Sequence, residues 1–273
     1  MVHQGIGSEE LARRVRVESL KMVHRAGASH IGGALSMADL LAVLYEKILN
    51  VRHQLPDWPE RDRFILSKGH SCSALYATLA LRGFFTVEEL QTYGQDGSRL
   101  LAHVSHKVPG VEFSTGSLGH GLPFGSGRAL AAKRKGEKWR AFVMLSDGEL
   151  DEGSNWEAIL FAPQHRLDNL VAIVDYNKIQ SLGSVAEVLE LGPLAEKFRA
   201  FRWSVREVNG HDHGQIRGAL NEVPWEPGKP SCLIAHTVKG KGVDFMESQL
   251  AWHYKSPDSA QLATALNQLE RRT

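Results

Sequence analysis

The alternation of short apolar runs with longer amphipathic segments constrains the fold of this chain more than any other feature. The apolar runs are rich in β-branched or aromatic residues, which is typical of buried parallel strands. Their alternation with helical periodicity predicts an α/β fold, a three-layer α/β/α domain with a doubly wound, mainly parallel sheet. The predicted strands are RFILS (63–67), AFVMLS (141–146), LVAIVDY (170–176), SVREVN (204–209) and CLIAHTV (232–238), and the predicted helices lie near 69–82, 119–135, 153–165, 193–201 and 213–222.

The N-terminal part of the chain, about residues 8–50, has the pattern of a helical segment. Ser8 is predicted to cap the first helix and Gly27 to end it. Ser36 and Asp39 resemble a capping box before a second helix. The stretch between the two helices, SHIGGALS, is predicted to be a loop whose glycines let a ligand approach closely.

No repeat, low-complexity tract or linker interrupts the chain, so residues 1–273 are predicted to form a single domain. The proline-rich stretch 224–230 is predicted to be a surface turn before the last strand. Pro257 is placed in the first turn of a C-terminal helix that ends near Arg271.

The composition excludes several classes of protein. With 42% hydrophobic residues, 23% charged residues and a net charge of +1, the composition gives no indication of a basic nucleic-acid face or a membrane surface. Its N-terminus lacks the apolar core of a signal peptide, and no apolar run approaches the ~18 residues of a membrane span. We therefore expect a cytoplasmic location. Cys72 and Cys232 are predicted to be buried thiols rather than a disulfide.

Two polar residues follow neighbouring predicted strands. Asp147 comes directly after AFVMLS, and Asn177 follows LVAIVDY, 30 residues later. Open parallel sheets bind ligands beyond the carboxyl ends of their strands, where the strand order reverses. Together with a backbone carbonyl from the stretch after Asn177, these side chains form an oxygen-only set of the kind that magnesium prefers.

Gly148 adds a second signal, because it leaves the backbone free to approach a phosphate at the start of the next helix. The alternative is that Asp147 and Gly148 form an ordinary turn and that Asn177 is a cap. The spacing alone leaves both interpretations open.

A family resemblance favours the first interpretation. The stretch SDGELDEGSNWEAILFAPQHRLDNLVAIVDYNK resembles the thiamine-diphosphate motif, in which GDG is followed by Asn at this spacing. Five further stretches resemble segments of transketolases in the same order, from about Leu11 to Pro257. They are SHIGGALSMADLL, RDRFILSKGHSCSALYATLALRG, PGVEFSTGSLGHGLPFGSG, VNGHD and HTVKGKGVDFMESQLAWHYKSP.

The resemblance implies a site for thiamine diphosphate and a divalent cation, magnesium or in its place calcium or manganese. Asp147, Asn177 and the carbonyl of Ile179 would bind the cation. Gly33 would let the cofactor approach the chain. The implied cofactor-binding residues are His70, Gly116, Ser117, Leu118, Gly148, Glu152, Asn177 and His253.

Four histidines are the implied catalytic residues. His30, His103 and His253 would face the reacting carbon and its hydroxyls, and His70 would lie near the diphosphate. Transfer of a ketol unit requires removing a proton from a hydroxyl and returning one to an alkoxide, which histidine does well near neutral pH. The cofactor would supply the carbanion and the electron sink.

The remaining histidines have no implied catalytic role. The spacings HVSH and HDH, which include His106, His211 and His213, do not match standard zinc sites, and no cysteine accompanies them. Asp212 is instead predicted to cap a helix. His120 stands where many transketolases have glutamine, and its effect is not predicted.

The other acids near Asp147 are divided by the same resemblance. Glu149 and Asp151 are predicted to be solvated acids at a helix start, where the helix dipole favours negative charge. Glu152 and Glu157 are implied to lie at a subunit interface. Ser146 replaces the first glycine of the motif, and we expect this change to be tolerated because Asp147 and Gly148 remain.

The resemblance further implies a partner. A separate C-terminal transketolase subunit would carry the pyrimidine-binding domain, a catalytic glutamate and the residues that bind a substrate phosphate. This chain is then the N-terminal subunit of a split transketolase, an α2β2 heterotetramer that moves a glycolaldehyde unit from a ketose (phosphate) donor to an aldose. Alone, the chain is expected to be inactive.

Two alternatives belong to other classes. The first is a subunit of a 2-oxo acid dehydrogenase or of a deoxyxylulose-phosphate synthase, which His30, His103 and His253 disfavour because they match a polyhydroxylated donor. The second is a scaffold that keeps the fold without turnover, which the presence of Asp147, Asn177 and the four histidines disfavours.

Overall fold

A five-stranded parallel sheet forms the centre of the molecule, with strand order β1-β2-β3-β5-β4. The computed structural model describes residues 5–271, so the first four and last two residues of the predicted domain lie outside the described residues. All five predicted strands are confirmed, with bounds within two residues of those expected. They are β1 Arg63–Leu66, β2 Ala141–Ser146, β3 Leu170–Tyr176, β4 Ser204–Asn209 and β5 Ser231–His236.

Helices cover both faces of the sheet, which confirms the doubly wound α/β/α prediction. Along β2, Phe142 and Met144 belong to one apolar core and Val143 and Leu145 to the other, because successive side chains of a strand point to opposite faces. The helices are α1 Ser8–Ala26, α2 Ile31–Ser36, α3 Ala38–Val43, α4 Cys72–Leu81, α5 Gly121–Lys135, α6 Gly153–Gln164, α7 Val185–Val188, α8 Leu194–Ala200, α9 His213–Asn221 and α10 Ser259–Arg271.

Shorter helical turns occur between these elements. A π-helical turn, Leu44–Ile48, extends α3, and the other turns are of the 3₁₀ type. The 3₁₀ turns are Gly69–Ser71, Val87–Thr92, Gly148–Asp151 and Leu250–His253.

The connections around β3 and β5 open a crevice at the carboxyl edge of the sheet. These strands are neighbours, with Asp175 opposite Ala235. After β3 the chain packs α8 on one face, whereas after β5 it packs Val243, Met246 and α10 on the other. Since adjacent connections diverge here, the edge has room for a ligand, as expected for an open parallel sheet.

The first helices differ from the sequence expectations in two ways. Gly7, not Ser8, is the N-cap of α1, and no side chain caps this end, whereas Gly27 ends the helix with φ 59° as predicted. The predicted loop SHIGGALS is wrong as well, because Ile31–Ser36 form α2, preceded by His30 in the left-handed region with φ 72°. A non-glycine residue in this region costs of order 1–3 kcal/mol and is typical of functional sites.

The predicted capping box is also wrong. Ser36 directs its hydroxyl to the carbonyl of Gly33 and, at 2.6 Å, to the carboxylate of Asp175. Asp39 lies within α3 and forms an ion pair with Arg16. Both side chains therefore make tertiary contacts that the local pattern does not reveal.

At the C-terminus, α10 begins at Ser259, so Pro257 lies before the helix and not in its first turn. Other local predictions are confirmed. Asp212 caps α9 by accepting the N–H of Gln215 at 3.0 Å. Cys72 and Cys232 are buried free thiols.

Asp39 joins several elements through one carboxylate. It accepts hydrogen bonds from both Nη atoms of Arg16, from His211 Nδ1 at 2.7 Å and from His213 Nε2 at 3.1 Å. His211 Nε2 in turn accepts the N–H of Val238 at 2.8 Å, which assigns the proton of this ring to Nδ1. The carboxylate thereby connects α1, α3, α9 and the segment after β5.

The lowered pKa of Asp39 predicts that part of the free energy of unfolding depends on pH. Burial works to raise this pKa, but Arg16 and the hydrogen bonds from His211 and His213 outweigh it and hold the pKa well below its usual value. A carboxyl group of this kind adds stability above its unfolded pKa of about 3.9, and that stability is lost as the pH falls towards the folded pKa.

We expect Asp39→Asn to lower the free energy of unfolding by about 2 kcal/mol at pH 7, because hydrogen bonds to a charged group contribute about 1.5–3 kcal/mol each. The difference from the wild type should narrow below about pH 4. Thermal unfolding of the wild type and the variant between neutral pH and pH values below about 4 measures this difference. Asp96→Asn, on an exposed side chain, is the control. A difference that stays constant with pH would contradict the assignment.

Candidate active site

A cavity of about 430 Å³ lies at the carboxyl edge of the sheet, between α2 and the segments that follow β1, β2, β3 and β5. It collects all the sequence-predicted site residues except Ser117, which is exposed and does not line it. Those lining it are His30, His70, His103, Gly116, Leu118, Asp147, Gly148, Glu152, Asn177, Ile179 and His253, together with Gly33.

Asp147 lies at the inner end of this cavity. Its side chain is buried and accepts the N–H of Gly148 at 2.8 Å and the N–H of Lys178 at 2.6 Å. Burial is the main cause that raises the pKa of Asp147 to about 6, and the nearby carboxylate of Asp175 adds to it. A buried carboxylate whose charge is this poorly compensated is suited to a cation.

Asn177 and Ile179 supply further oxygens beside Asp147. Asn177 Oδ1 accepts the N–H of Ile179 at 3.2 Å, and both residues line the same end of the cavity as Asp147. One carboxylate, one carboxamide and one carbonyl make an oxygen-only set. This set fits a hard divalent cation such as magnesium, which completes its sphere with phosphate or water oxygens.

Lys239 is a site residue that the sequence reasoning missed. Its ammonium donates to the carbonyl of Ile179 at 2.8 Å, to the carbonyl of Gln180 at 3.3 Å and to His253 Nδ1 at 2.9 Å. Burial lowers its pKa to about 8. A positive charge beside the predicted cation site suits a diphosphate, and the signal in the sequence was a lysine between the end of a strand and two glycines.

Lys68 and Asp175 form a fully buried ion pair in the wall of the cavity, which Lys68 lines, and this pair was also missed. Lys68 additionally donates to the carbonyl of Gly33 at 3.0 Å. Asp175 accepts the hydroxyls of Ser36 and Thr237. Burial works to raise the pKa of Asp175, but Lys68 and the two hydroxyls hold it below its usual value. The pair connects the ends of β1 and β3 with α2.

The four predicted histidines lie together in the cavity. The ring centroid of His30 is 5.1 Å from those of His70 and His253 and 5.8 Å from that of His103. Burial, with His103 and Lys239, lowers the pKa of His30 to about 4. Burial and Lys239 lower the pKa of His253 to about 3, and the pKa of His70 falls well below its usual value. These three imidazoles are therefore neutral at pH 7.

Close packing fixes two of the chain segments around the histidines. A Cβ at Gly116 would lie 3.2 Å from the ring of His103, and a Cβ at Gly33 would lie 2.8 Å from the hydroxyl of Ser71. The backbone at both positions approaches its neighbours more closely than a larger residue would allow.

The prediction for Glu149 is wrong. This side chain is fully buried, because the 3₁₀ turn after Asp147 directs it inward. Its Oε1 accepts the hydroxyl of Ser67 and, at 2.9 Å, the N–H of Gly119, whereas Oε2 has no hydrogen-bond partner within residues 5–271. Burial raises its pKa. Glu149 thus supports the loop that carries Gly116.

Ser146 ends β2 with ordinary strand geometry, so no positive φ is required at this departure from the GDG motif. Its hydroxyl accepts the N–H of Glu149 at 3.2 Å. Asp151 is exposed, as predicted, and so are Glu152 and Glu157. His120 is exposed at the start of α5, with Nδ1 2.7 Å from the carbonyl of Leu118.

Comparison with known proteins gives one family. The family model described as transketolase, thiamine diphosphate binding domain, matches residues 8–269. The chain belongs to the transketolase family. Two relatives of nearly the same length are an apulose-4-phosphate transketolase subunit from Phocaeicola vulgatus and the 6-deoxy-6-sulfo-D-fructose transketolase subunit SqwG of a Clostridium species. The first is 41% identical, covering 94% of this chain and 92% of the relative, and the second is 39% identical, covering 99% of both.

Solved transketolases share the fold. The transketolase of Leishmania mexicana superposes with a TM-score of 0.92 at 31% identity, over 98% of this chain. The chain spans 42% of the length of that longer transketolase. Among residues 5–271 of this transketolase-family chain, no helix is long and apolar enough to cross a membrane.

Proposed function

We propose that this chain is the N-terminal subunit of a two-subunit transketolase and holds the diphosphate and metal end of thiamine diphosphate. With its partner it transfers a two-carbon ketol unit from a ketose phosphate donor to an aldose acceptor. The donor leaves as an aldose two carbons shorter, and the acceptor becomes a ketose two carbons longer. The observation that carries this proposal is the convergence of an oxygen-only cation set and four histidines in one cavity.

The inner end of the cavity suits the diphosphate and its cation. Asp147, Asn177 and the carbonyl of Ile179 would bind magnesium, as proposed from the family motif. His70, Gly148 and Lys239 lie around the same space, and the ammonium of Lys239 would balance phosphate charge. When bound, thiamine diphosphate supplies the nucleophilic carbon and the electron sink for the reaction.

The histidine cluster around His30 suits proton handling. Lys239 donates to His253 Nδ1, so the neutral ring of His253 carries its proton on Nε2 and presents a donor. His30 is neutral at pH 7 because its pKa is about 4, and its unprotonated ring nitrogen can accept a hydrogen bond from a sugar hydroxyl. With His103 beside them, these rings would bind and deprotonate hydroxyls of the donor and reprotonate the product.

A second polypeptide is part of the proposal. Both relatives of similar length carry names that describe them as subunits of a transketolase. The surface of α6 supports a docking role, since Leu160 is 58% exposed and Phe161 38% exposed beside the exposed Glu157. The partner would carry the pyrimidine-binding domain, the assembly would be α2β2, and its location would be cytoplasmic. Glu152, at the rim of the cavity, would face this partner.

Isotope transfer in the reconstituted pair tests the proposed function. The two subunits, thiamine diphosphate and magnesium are incubated with a ketose phosphate labelled with ¹³C at carbons 1 and 2 and with an unlabelled aldose. Mass spectrometry should find both labels in a ketose two carbons longer than the acceptor, and only when both subunits are present. Label that remains in the donor, or transfer from pyruvate alone, would reject a ketol transferase.

A further inference from the structure

Tyr254 lies beside the histidines of the cavity. It follows the 3₁₀ turn Leu250–His253 and lines the cavity. Its ring centroid lies 4.6 Å from that of His253 and 6.0 Å from that of His30, yet its side chain remains 59% exposed. A large aromatic side chain therefore stands at the mouth of the site, beside two of the proton-handling rings.

A chain of hydrogen bonds leads from the proposed cation site to His253, the residue directly before Tyr254. The carbonyl of Ile179, the ammonium of Lys239 and the imidazole of His253 are joined by hydrogen bonds of 2.8 and 2.9 Å. Tyr254 directly follows His253 in the chain, and its ring lies against those of His253 and His30. A donor whose carbonyl lies among the histidines would therefore bring its remaining carbons within reach of the Tyr254 ring.

Tyrosine is chemically suited to that part of a sugar. Its ring offers an apolar face to C–H groups, and its hydroxyl offers a hydrogen bond to a neighbouring sugar hydroxyl. We propose that Tyr254 is a specificity-determining residue that binds the carbons of a ketose beyond the bond that breaks. This inference rests on the proposed function, because it assumes that a ketol donor occupies the cavity.

Two donors of different length separate this role from a general one. A ketose phosphate of five or six carbons reaches Tyr254, whereas hydroxypyruvate has only a carboxylate beyond its carbonyl. Hydroxypyruvate delivers the same two-carbon unit with release of CO₂. If only the longer donor contacts Tyr254, removing the tyrosine ring lowers kcat/KM for that donor alone. Hydroxypyruvate lacks the carbons that would make this contact, so it has no binding energy there to lose.

We expect Tyr254→Ala in the assembled enzyme to lower kcat/KM about 10-fold for the ketose phosphate, within the range of about 10–200-fold for changes in apolar contacts. For hydroxypyruvate, kcat/KM should stay within about twofold. Tyr254→Phe, which keeps the ring, should lose less than Tyr254→Ala. Leu250→Ala is the control, because Leu250 is 39% exposed in the same turn but does not line the cavity.

The outcomes distinguish the inference from the function beneath it. Equal losses with both donors, no loss with either, or weaker assembly of the variant in native mass spectrometry would overturn the role of Tyr254 while the wild-type enzyme remains a transketolase. If the wild-type pair transfers a ketol unit from neither donor, the proposed function fails and the inference fails with it.

Discussion

Asp147→Asn is expected to abolish cofactor-dependent activity of the assembled enzyme while leaving the isolated chain folded. The substitution removes the only charge from the proposed cation set of Asp147, Asn177 and Ile179. Changing just a group that hydrogen-bonds a metal ligand weakens metal binding about 10–100-fold, so loss of the charged ligand itself should weaken magnesium-dependent binding of thiamine diphosphate by more than about 100-fold. Isothermal titration calorimetry of the two-subunit enzyme with thiamine diphosphate and magnesium measures this affinity.

The stability of the variant separates loss of the site from loss of the fold. Burial and Asp175 raise the pKa of Asp147 to about 6, so its charge is unfavourable in the metal-free protein. The carboxamide that replaces the Asp147 carboxylate can accept only one of the two backbone N–H groups, of Gly148 and Lys178, that the carboxylate accepts. Removal of the unfavourable charge offsets this lost hydrogen bond. The melting temperature of metal-free Asp147→Asn should therefore change by only a few degrees, since about 1 kcal/mol corresponds to ~2–4 °C in a domain of this size.

Asp96→Asn is the matched control, because it makes the same charge change on an exposed side chain that does not line the cavity. It should retain cofactor affinity within about threefold, since it removes only a long-range charge interaction. If both variants lose affinity equally, the carboxylate of Asp147 is not a ligand.

Lys68→Met is expected to give the largest loss of stability. It leaves the carboxylate of Asp175 buried without its cation, and breaking a buried ion pair from one side costs about 3–5 kcal/mol. The melting temperature should fall by about 6–20 °C. Differential scanning calorimetry of the isolated chain measures the effect.

Two controls make this prediction specific to the buried pair. The double variant Lys68→Met/Asp175→Leu should recover part of the loss, because replacing both charges removes the unpaired carboxylate, although the Thr237 hydroxyl then loses its acceptor. Lys133→Met, in an ion pair with Asp168 whose side chains are 38% and 32% exposed, should cost less than about 1 kcal/mol. Equal effects of Lys68→Met and Lys133→Met would show that burial of the pair is unimportant.

The sheet and the location of the site were predictable because both depend on local patterns. Short apolar runs identified all five strands, and the carboxyl-end rule brought Asp147 and Asn177 together across β2 and β3. The resemblance of the other segments to transketolases then implied that the histidines belong to the same site, and they line this cavity. These inferences need no knowledge of contacts between distant residues.

The remaining features depend on such contacts. The glycines of SHIGGALS suggested a loop, since glycine inside a helix costs about 1 kcal/mol relative to alanine. In α2, however, Gly32 packs against Lys239 and Gly33 against Ser71, so the tight packing requires these glycines. Burial of Glu149 and the pairing of Lys68 with Asp175 likewise join elements that are far apart in sequence.

The position of the divalent cation in the assembled enzyme is the most direct test that this cavity holds the cofactor. Crystals of the two-subunit enzyme grown with thiamine diphosphate and Mn²⁺ would be measured by anomalous diffraction. We predict one manganese peak per site, within about 2.0–2.6 Å of Asp147, the Asn177 carboxamide oxygen and the Ile179 carbonyl, with a diphosphate oxygen completing the sphere. A manganese and cofactor bound elsewhere, with these three oxygens uncoordinated, would contradict it.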